Sequence, residues 1–284
     1  MRMTHTWTDE SATIRIEGLR ETVRMLHITD SHIALIDDRD AEHQAACESY
    51  CERMASRDET FHKMLGEANG LDLELVALTG DIIHFPSQAS VENAVASISQ
   101  IDVPALYTAG NHDWHFPGME GRDELRDAWW PALEPLHHGD AAYARYELNG
   151  IQFLLVDDST YQISEEQLTF VQTQLANPIP TVLLTHIPLS LPTLRDPTIE
   201  RWNAPILIGD PDWQIENRDR WGTGENPSST LEFVRTLAAS ENLVAVFCGH
   251  IHFPHTDAIS PNAVQYVGAP GYDAKSRLVA FQPL

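Results

Sequence analysis

The sequence predicts a mixed α/β sandwich with helices on the outside. Three observations lead there. Apolar runs of strand length alternate with helical segments through the first part of the chain. Hairpin and closing-strand patterns follow in the later part. Each of five short polar signatures follows directly on an apolar run, as expected where the carboxyl ends of strands deliver a ligand crevice.

Taken in order, Thr13–Ile16 alternates and reads as a short strand, and Thr22–Thr29 is a stronger one that ends at Asp30. Asp40–Ala68 carries apolar residues at helical spacing, among them Met54, Phe61, Met64 and Leu65, and Asn69-Gly70 stops it. Glu74–Thr79 is a buried strand ending at Gly80-Asp81. Val91–Ser99 is a helix, and Pro104–Ala109 is a strand ending at Gly110-Asn111. Glu124–Trp130 reads as a helix that Pro131 stops. Ala142–Leu148 and Ile151–Val156 flank Asn149-Gly150, a pair suited to the positive φ values of a type I′ hairpin turn. Ser164 caps a helix running to Leu175, with Glu165, Glu166 and Gln167 in its first turn. Thr181–Thr185 is a strand ending at His186, Ser228–Ala239 a helix, and Leu243–Cys248 a strand ending at Gly249-His250. Ala263–Val267 and Arg277–Phe281 close the fold. Leu191–Pro227 lacks clear periodicity and is rich in Pro, Gly, Asp and Trp, so it reads as a lid-like insertion. Its tryptophans, Trp202, Trp213 and Trp221, fit best as staples that hold it to the body.

The 284 residues, 43% hydrophobic, suffice for one large core, and a single domain over 1–284 is expected. A formal net charge of -24 repels polyanions, which makes a nucleic acid polymer a poor partner. Lys63 and Lys275 are the only lysines. Cys47, Cys51 and Cys248 form no metal-knuckle pattern and read as free thiols. Met1–Glu10 is polar without an apolar secretory core, and no apolar stretch is long enough for a bilayer. The expectation is a cytoplasmic protein with no membrane partner.

Five polar signatures recur in fixed order: Asp30-Ser31-His32, Gly80-Asp81, Gly110-Asn111-His112-Asp113, His186, and Gly249-His250-Ile251-His252. Residues at i and i+2 share one face of an extended segment, so Asp30 and His32 converge, as do His250 and His252. Carboxylate, imidazole and amide oxygen together suit Mn²⁺, Fe or Zn²⁺. Two such ions about 3.5–4 Å apart clamp the attacking and leaving oxygens of an in-line displacement, and a bound water becomes the nucleophile.

These residues, in this order, resemble the calcineurin-like metallophosphoesterase superfamily. The resemblance spans Asp30 to His252. It implies a four-layer αββα sandwich of two mixed sheets flanked by helices, and a binuclear metal centre. One metal would take Asp30, His32, Asp81 and His252. The other would take Asp81 as the bridge, with Asn111, His186 and His250. His112 would assist the leaving group and Asp113 would hold its imidazole. The run Gly80-Asp81-Ile82-Ile83-His84 lacks the Val-Asp-Arg-Gly of protein Ser/Thr phosphatases and the tyrosine of purple acid phosphatases. The pattern is closest to small bacterial phosphodiesterases of the cyclic-nucleotide and glycerophosphodiester type. The expected reaction is hydrolysis of a small phosphodiester by a metal-bridging hydroxide. A phosphomonoesterase, or a metal-binding interaction module with little turnover, are the alternatives.

The remaining residues are less specific. His84 and His115 lie beside motifs and read either as pocket residues or as satisfied histidines. His27 sits inside a strand and reads as core. His43, His62, His137 and His138 read as solvent-exposed, and Cys248 as a small core residue. Gly268–Tyr272 either reaches the site or is a plain turn. An arginine near the metals would guide phosphate, but the sequence does not single one out.

Overall fold

The computed structural model describes residues 1–119, 123–211 and 225–284. Two six-stranded mixed sheets form the centre. The first runs β1(Met3–Trp7), β2(Ser11–Ile16), β12(Arg277–Pro283), β3(Val23–Ile28), β4(Leu75–Thr79), β5(Ala105–Thr108). The second runs β10(His255–Ala258), β11(Val264–Val267), β9(Leu243–Cys248), β8(Thr181–Leu184), β7(Ile151–Val156), β6(Tyr143–Leu148). β3, β4 and β5 are parallel, and so are β7, β8, β9 and β11. The chain therefore leaves each of these strands at the same end of its sheet, where the polar signatures begin.

Side-chain alternation assigns the layers. Leu75 and Ala77 of β4 enter the cluster between the sheets, while Val76 and Leu78 face outward. Phe153 and Leu155 of β7 meet them from the other sheet, and Leu154 and Val156 face the opposite way. Outside the first sheet lie α2(Arg57–Ala68) and α3(Gln88–Ile98), which bury Phe61, Leu65 and Ala94. Outside the second lie α5(Glu165–Leu175) and α7(Ser228–Ala239), which bury Val171, Phe233 and Leu237. This is the expected four-layer αββα sandwich. Phe153 meets Phe281 of the facing sheet edge-on at 6.0 Å. Truncating it to Ala removes this central contact and costs about 3–5 kcal/mol.

Local chemistry explains the agreements and the differences. Asn149 and Gly150 take φ 48 and 84, as the hairpin turn requires. Ser164 and Gln167 close a reciprocal capping box on α5. The long helix expected over Asp40–Ala68 is two helices, α1(Gln44–Arg53) and α2, broken at Ser56 with φ 70. The edge strands β1 and β10 are polar and half exposed, so their pairing is not visible as an apolar run. α4(Asp123–Leu133) runs through Pro131 rather than stopping at it. The segment after Leu191 opens with α6(Pro192–Trp202), which has Pro192 in its first turn and Pro197 inside. Trp202 is pinned by a 2.9 Å hydrogen bond from Nε1 to the Ile251 carbonyl, as a staple would be. Trp213 and Trp221 lie outside the described residues. His43 and His137 are partly buried rather than exposed: His43 stacks on Phe116 at 3.7 Å, and His137 packs edge-on against Tyr107. No described helix is long and apolar enough to cross a membrane.

Candidate metal centre

The polar signatures meet where the parallel strands of the two sheets end. Asp30 follows β3, Asp81 follows β4, Asn111 follows β5, His186 follows β8 and His250 follows β9. The local backbone differs from the extended geometry expected. Asp30, His32, Asp81, His250 and His252 all have positive φ, at 52, 49, 51, 72 and 58. Non-glycine residues there cost of order 1–3 kcal/mol each and persist only where surrounding contacts over-determine them. Those contacts are visible: the Asp30 amide donates to Gly80 O at 3.0 Å, and that of His32 to Asp81 O at 2.8 Å. The Gly249 amide donates to His186 O at 2.8 Å. Side-chain convergence thus comes from strained turns locked to one another, not from a shared face of a strand.

The turns also pack too closely for side chains at their glycines. A Cβ on Gly110 would overlap Asp81 Oδ1, and one on Gly249 would overlap Thr29 Oγ1 and Asp30 Oδ2.

Three donor clusters result among the described residues: one joins His32, His84 and His112, and the two that carry carboxylates share Asp81. Ligand atoms of Asp30, His32, Asp81 and His252 lie within 4.8 Å of one another, as do those of Asp81, His186 and His250. His252 Nε2 is 3.2 Å from Asp30 Oδ1 and 3.0 Å from His32 Nε2. His186 Nε2 is 3.3 Å from Asp81 Oδ2. In the two carboxylate clusters all but His252 are buried. Asn111 Oδ1 and His250 Nε2 are buried with no protein hydrogen-bond partner. A buried acceptor left so is costly, and a cation shared by these atoms removes the cost. The donor set fits two divalent ions on this ground. Burial opposes a proton on His186, but the Asp81 carboxylate outweighs it and raises the imidazole to about 10, so a cation bound at that nitrogen would have to displace this proton.

His112 stands on the cavity wall beside Asp81, Asn111, Trp202 and Ile206. Its backbone amide donates to Asp81 Oδ1 at 2.8 Å. Burial lowers its imidazole to about 4, against the attraction of Asp81. Asp113 does not hold that ring. Its oxygens accept the amides of Asp81 at 2.9 Å, Gly110 at 2.7 Å and Ile83 at 2.9 Å. The carboxylate braces the two turns that carry Asp81 and Asn111. Burial and the nearby Asp81 charge raise it to about 7.

His84 is a pocket residue. Its Nδ1 is 3.0 Å from His32 Nδ1, and its ring stacks on His112 at 4.5 Å. His115 is farther out, 5.8 Å from His112. His27 is core, with Nε2 2.7 Å from Thr79 Oγ1. Gly268–Tyr272 does reach the site: the Tyr272 amide donates to Asp30 O at 3.2 Å, and its ring lies 5.4 Å from His252.

Sequence reasoning missed Asp158. This buried carboxylate accepts the amides of His186 at 3.0 Å and Ile187 at 3.0 Å, fixing the turn after β8. It too follows an apolar strand, Ile151–Val156, which was the available sign.

The family model for calcineurin-like phosphoesterases matches residues 23–254. A probable cyclic nucleotide phosphodiesterase of Fibrobacter succinogenes is 25% identical over 194 residues, which make up 68% of this chain and 63% of that protein. The chain is similar in fold to a dimetal phosphatase from Danio rerio, with TM-score 0.57 and 11% identity over 88% of each chain. It is also similar to a purple acid phosphatase from yellow lupin (Lupinus luteus) seeds, with TM-score 0.55 and 13% identity over 92% of this chain and 46% of that one.

Proposed function

The chain belongs to the calcineurin-like phosphoesterase family, and from this we propose that it hydrolyses a small phosphodiester with two divalent cations bound. The observation that carries the reading is the pair of donor clusters joined at Asp81. Asp30, His32, Asp81 and His252 would hold one ion. Asp81, Asn111, His186 and His250 would hold the other. Mn²⁺, Fe and Zn²⁺ all suit these donors. Bound there, the ions supply Lewis-acid polarisation of a phosphoryl oxygen and acidify water near neutral pH.

The protein's own groups do the rest. The P–O bond to the leaving alcohol breaks as a water oxygen bonds to phosphorus, and the leaving oxygen takes a proton. The His112 ring, on the cavity wall, is placed to assist there, as the proton donor or, in its neutral form, by an N–H hydrogen bond to the developing charge. Asp113 keeps the Asp81 and Asn111 turns in register, and Asp158 does so for His186. His84 faces the outer nitrogen of His32 and so turns Nε2 toward the carboxylates.

A diester is preferred to a monoester because the name of the Fibrobacter relative is that of a phosphodiesterase. Residues 1–284 act as one domain in this reading, with 191–227 as a lid: Trp202 and Ile206 already wall the cavity. Three free thiols suit a reducing cytoplasm. Comparing bis-p-nitrophenyl phosphate with p-nitrophenyl phosphate in Mn²⁺, Fe²⁺ and Zn²⁺ tests the substrate class. Faster diester hydrolysis is expected, and a large monoester preference reverses the assignment.

A further inference from the structure

Three guanidiniums stack on three aromatic rings, and each ring touches a histidine of the candidate centre. Arg57 lies 4.1 Å over Tyr272, whose ring is 6.0 Å from His32 and 5.4 Å from His252. Arg53 lies 4.6 Å over Tyr50, whose ring is 4.8 Å from His84. Arg201 lies 5.4 Å over Trp202, whose ring is 5.3 Å from His252.

Their lack of carboxylate partners is notable in a chain with 42 acidic and 18 basic residues. Of the other described arginines seven pair with acids, such as Arg24 with Asp72, Arg39 with Asp37 and Glu92, and Arg195 with Asp210, while Arg15, Arg20 and Arg277 do not. Among the described residues, Arg53, Arg57 and Arg201 make no such ion pair. Arg57 is half-buried, and desolvation pushes its pKa down. Asp273 is the carboxylate whose field reaches it. The fields of Arg57 and Arg201 both reach Tyr272. A half-buried guanidinium stacked on a ring keeps its planar fork of N–H donors free for a bidentate anion.

We propose that Arg57, flanked by Arg53 and Arg201, forms a second anion subsite at the rim of the metal centre, which takes a phosphate carried on the organic part of the substrate. The inference rests on the phosphoesterase reading and narrows it to small diesters bearing a further phosphate. The scissile phosphoryl goes to the metals, and the second phosphate goes to the arginines.

Binding tests this without turnover. Calorimetry on the Mn²⁺-loaded full chain compares thymidine 3′,5′-bisphosphate with thymidine 5′-phosphate. The wild type is expected to bind the bisphosphate about tenfold tighter or more. Arg57→Gln removes that preference, and Arg57→Lys keeps part of it. Arg53→Gln and Arg201→Gln, both at exposed positions, each reduce it several-fold. Equal wild-type affinities, or a preference that survives Arg57→Gln in full, overturn the subsite. So does an equal loss for both ligands in Arg57→Gln, which would place the arginine on the first phosphate. Failure of the phosphoesterase reading shows separately, as no hydrolysis of either nitrophenyl ester.

Discussion

Asp113 Oδ2 accepts the backbone amide of Asp81 at 2.9 Å, so one buried carboxylate holds the strained turn that carries another. The same carboxylate also accepts from Gly110 and Ile83. Asp113→Ala leaves three buried amides without a partner, at about 1–3 kcal/mol each before relaxation. A loss of about 3 kcal/mol or more in urea unfolding is expected, with reduced metal retention. Asp113→Asn, which keeps the shape but turns an N–H₂ toward those donors, falls between. A stable Asp113→Ala protein with full metal content would show that the brace is dispensable.

His112→Ala separates chemistry from metal binding. The residue stands on the cavity wall and outside both donor clusters that share Asp81. Turnover of the diester should fall about 10²–10⁴-fold while metal content by mass spectrometry stays as in the wild type. Unchanged turnover would remove its role at the leaving group.

His84→Ala tests the outer contact of His32. Loss of a group that orients a metal-binding histidine weakens metal affinity about 10–100-fold. The expected outcome is weaker binding of one of two ions, read in a competitive chelator titration. Identical titrations for variant and wild type would leave His84 without that function.

His27 makes stability depend on pH. Burial lowers its folded pKa from 6.5 to about 3. Between these values the unfolded chain binds more protons, so acid favours unfolding. The contribution of neutral His27 is intact above about pH 6.5 and is lost as pH falls toward 3, by up to about 1.4 kcal/mol per pH unit. His27→Gln keeps a group able to reach Thr79 and does not titrate. Urea unfolding from pH 7 to 4 should show a shallower decline in the variant, by up to one proton. Parallel declines would mean that His27 does not carry this term.

Much of the candidate centre was legible because each donor follows an apolar run, and a buried parallel strand has few other readings. The backbone at those donors was not. A left-handed Asp or His is dictated by contacts between turns some fifty to 220 residues apart, from the Asp30 amide on Gly80 O to the His250 amide on Asp30 Oδ2 at 3.0 Å. Asp158 was missed because its work is done through amide hydrogens, which leave no motif. Pro192 and Pro197 hid α6, since proline weighs against a helix locally while packing of Leu194 and Trp202 outweighs it. The place of the stacked arginines was invisible for a simpler reason: Arg57 reaches the Tyr272 ring, and Trp202 under Arg201 reaches His252, only after α2 and α6 pack around the centre.

Metal stoichiometry of Asp81→Asn against wild type tests the central claim most directly. The two donor clusters that carry carboxylates share only Asp81. After loading with Mn²⁺ and removal of free ion, the wild type should retain two ions per chain, Asn111→Ala one, and Asp81→Asn fewer than one. Retention of both ions by Asp81→Asn, or of none by the wild type, would contradict a binuclear centre bridged at that residue.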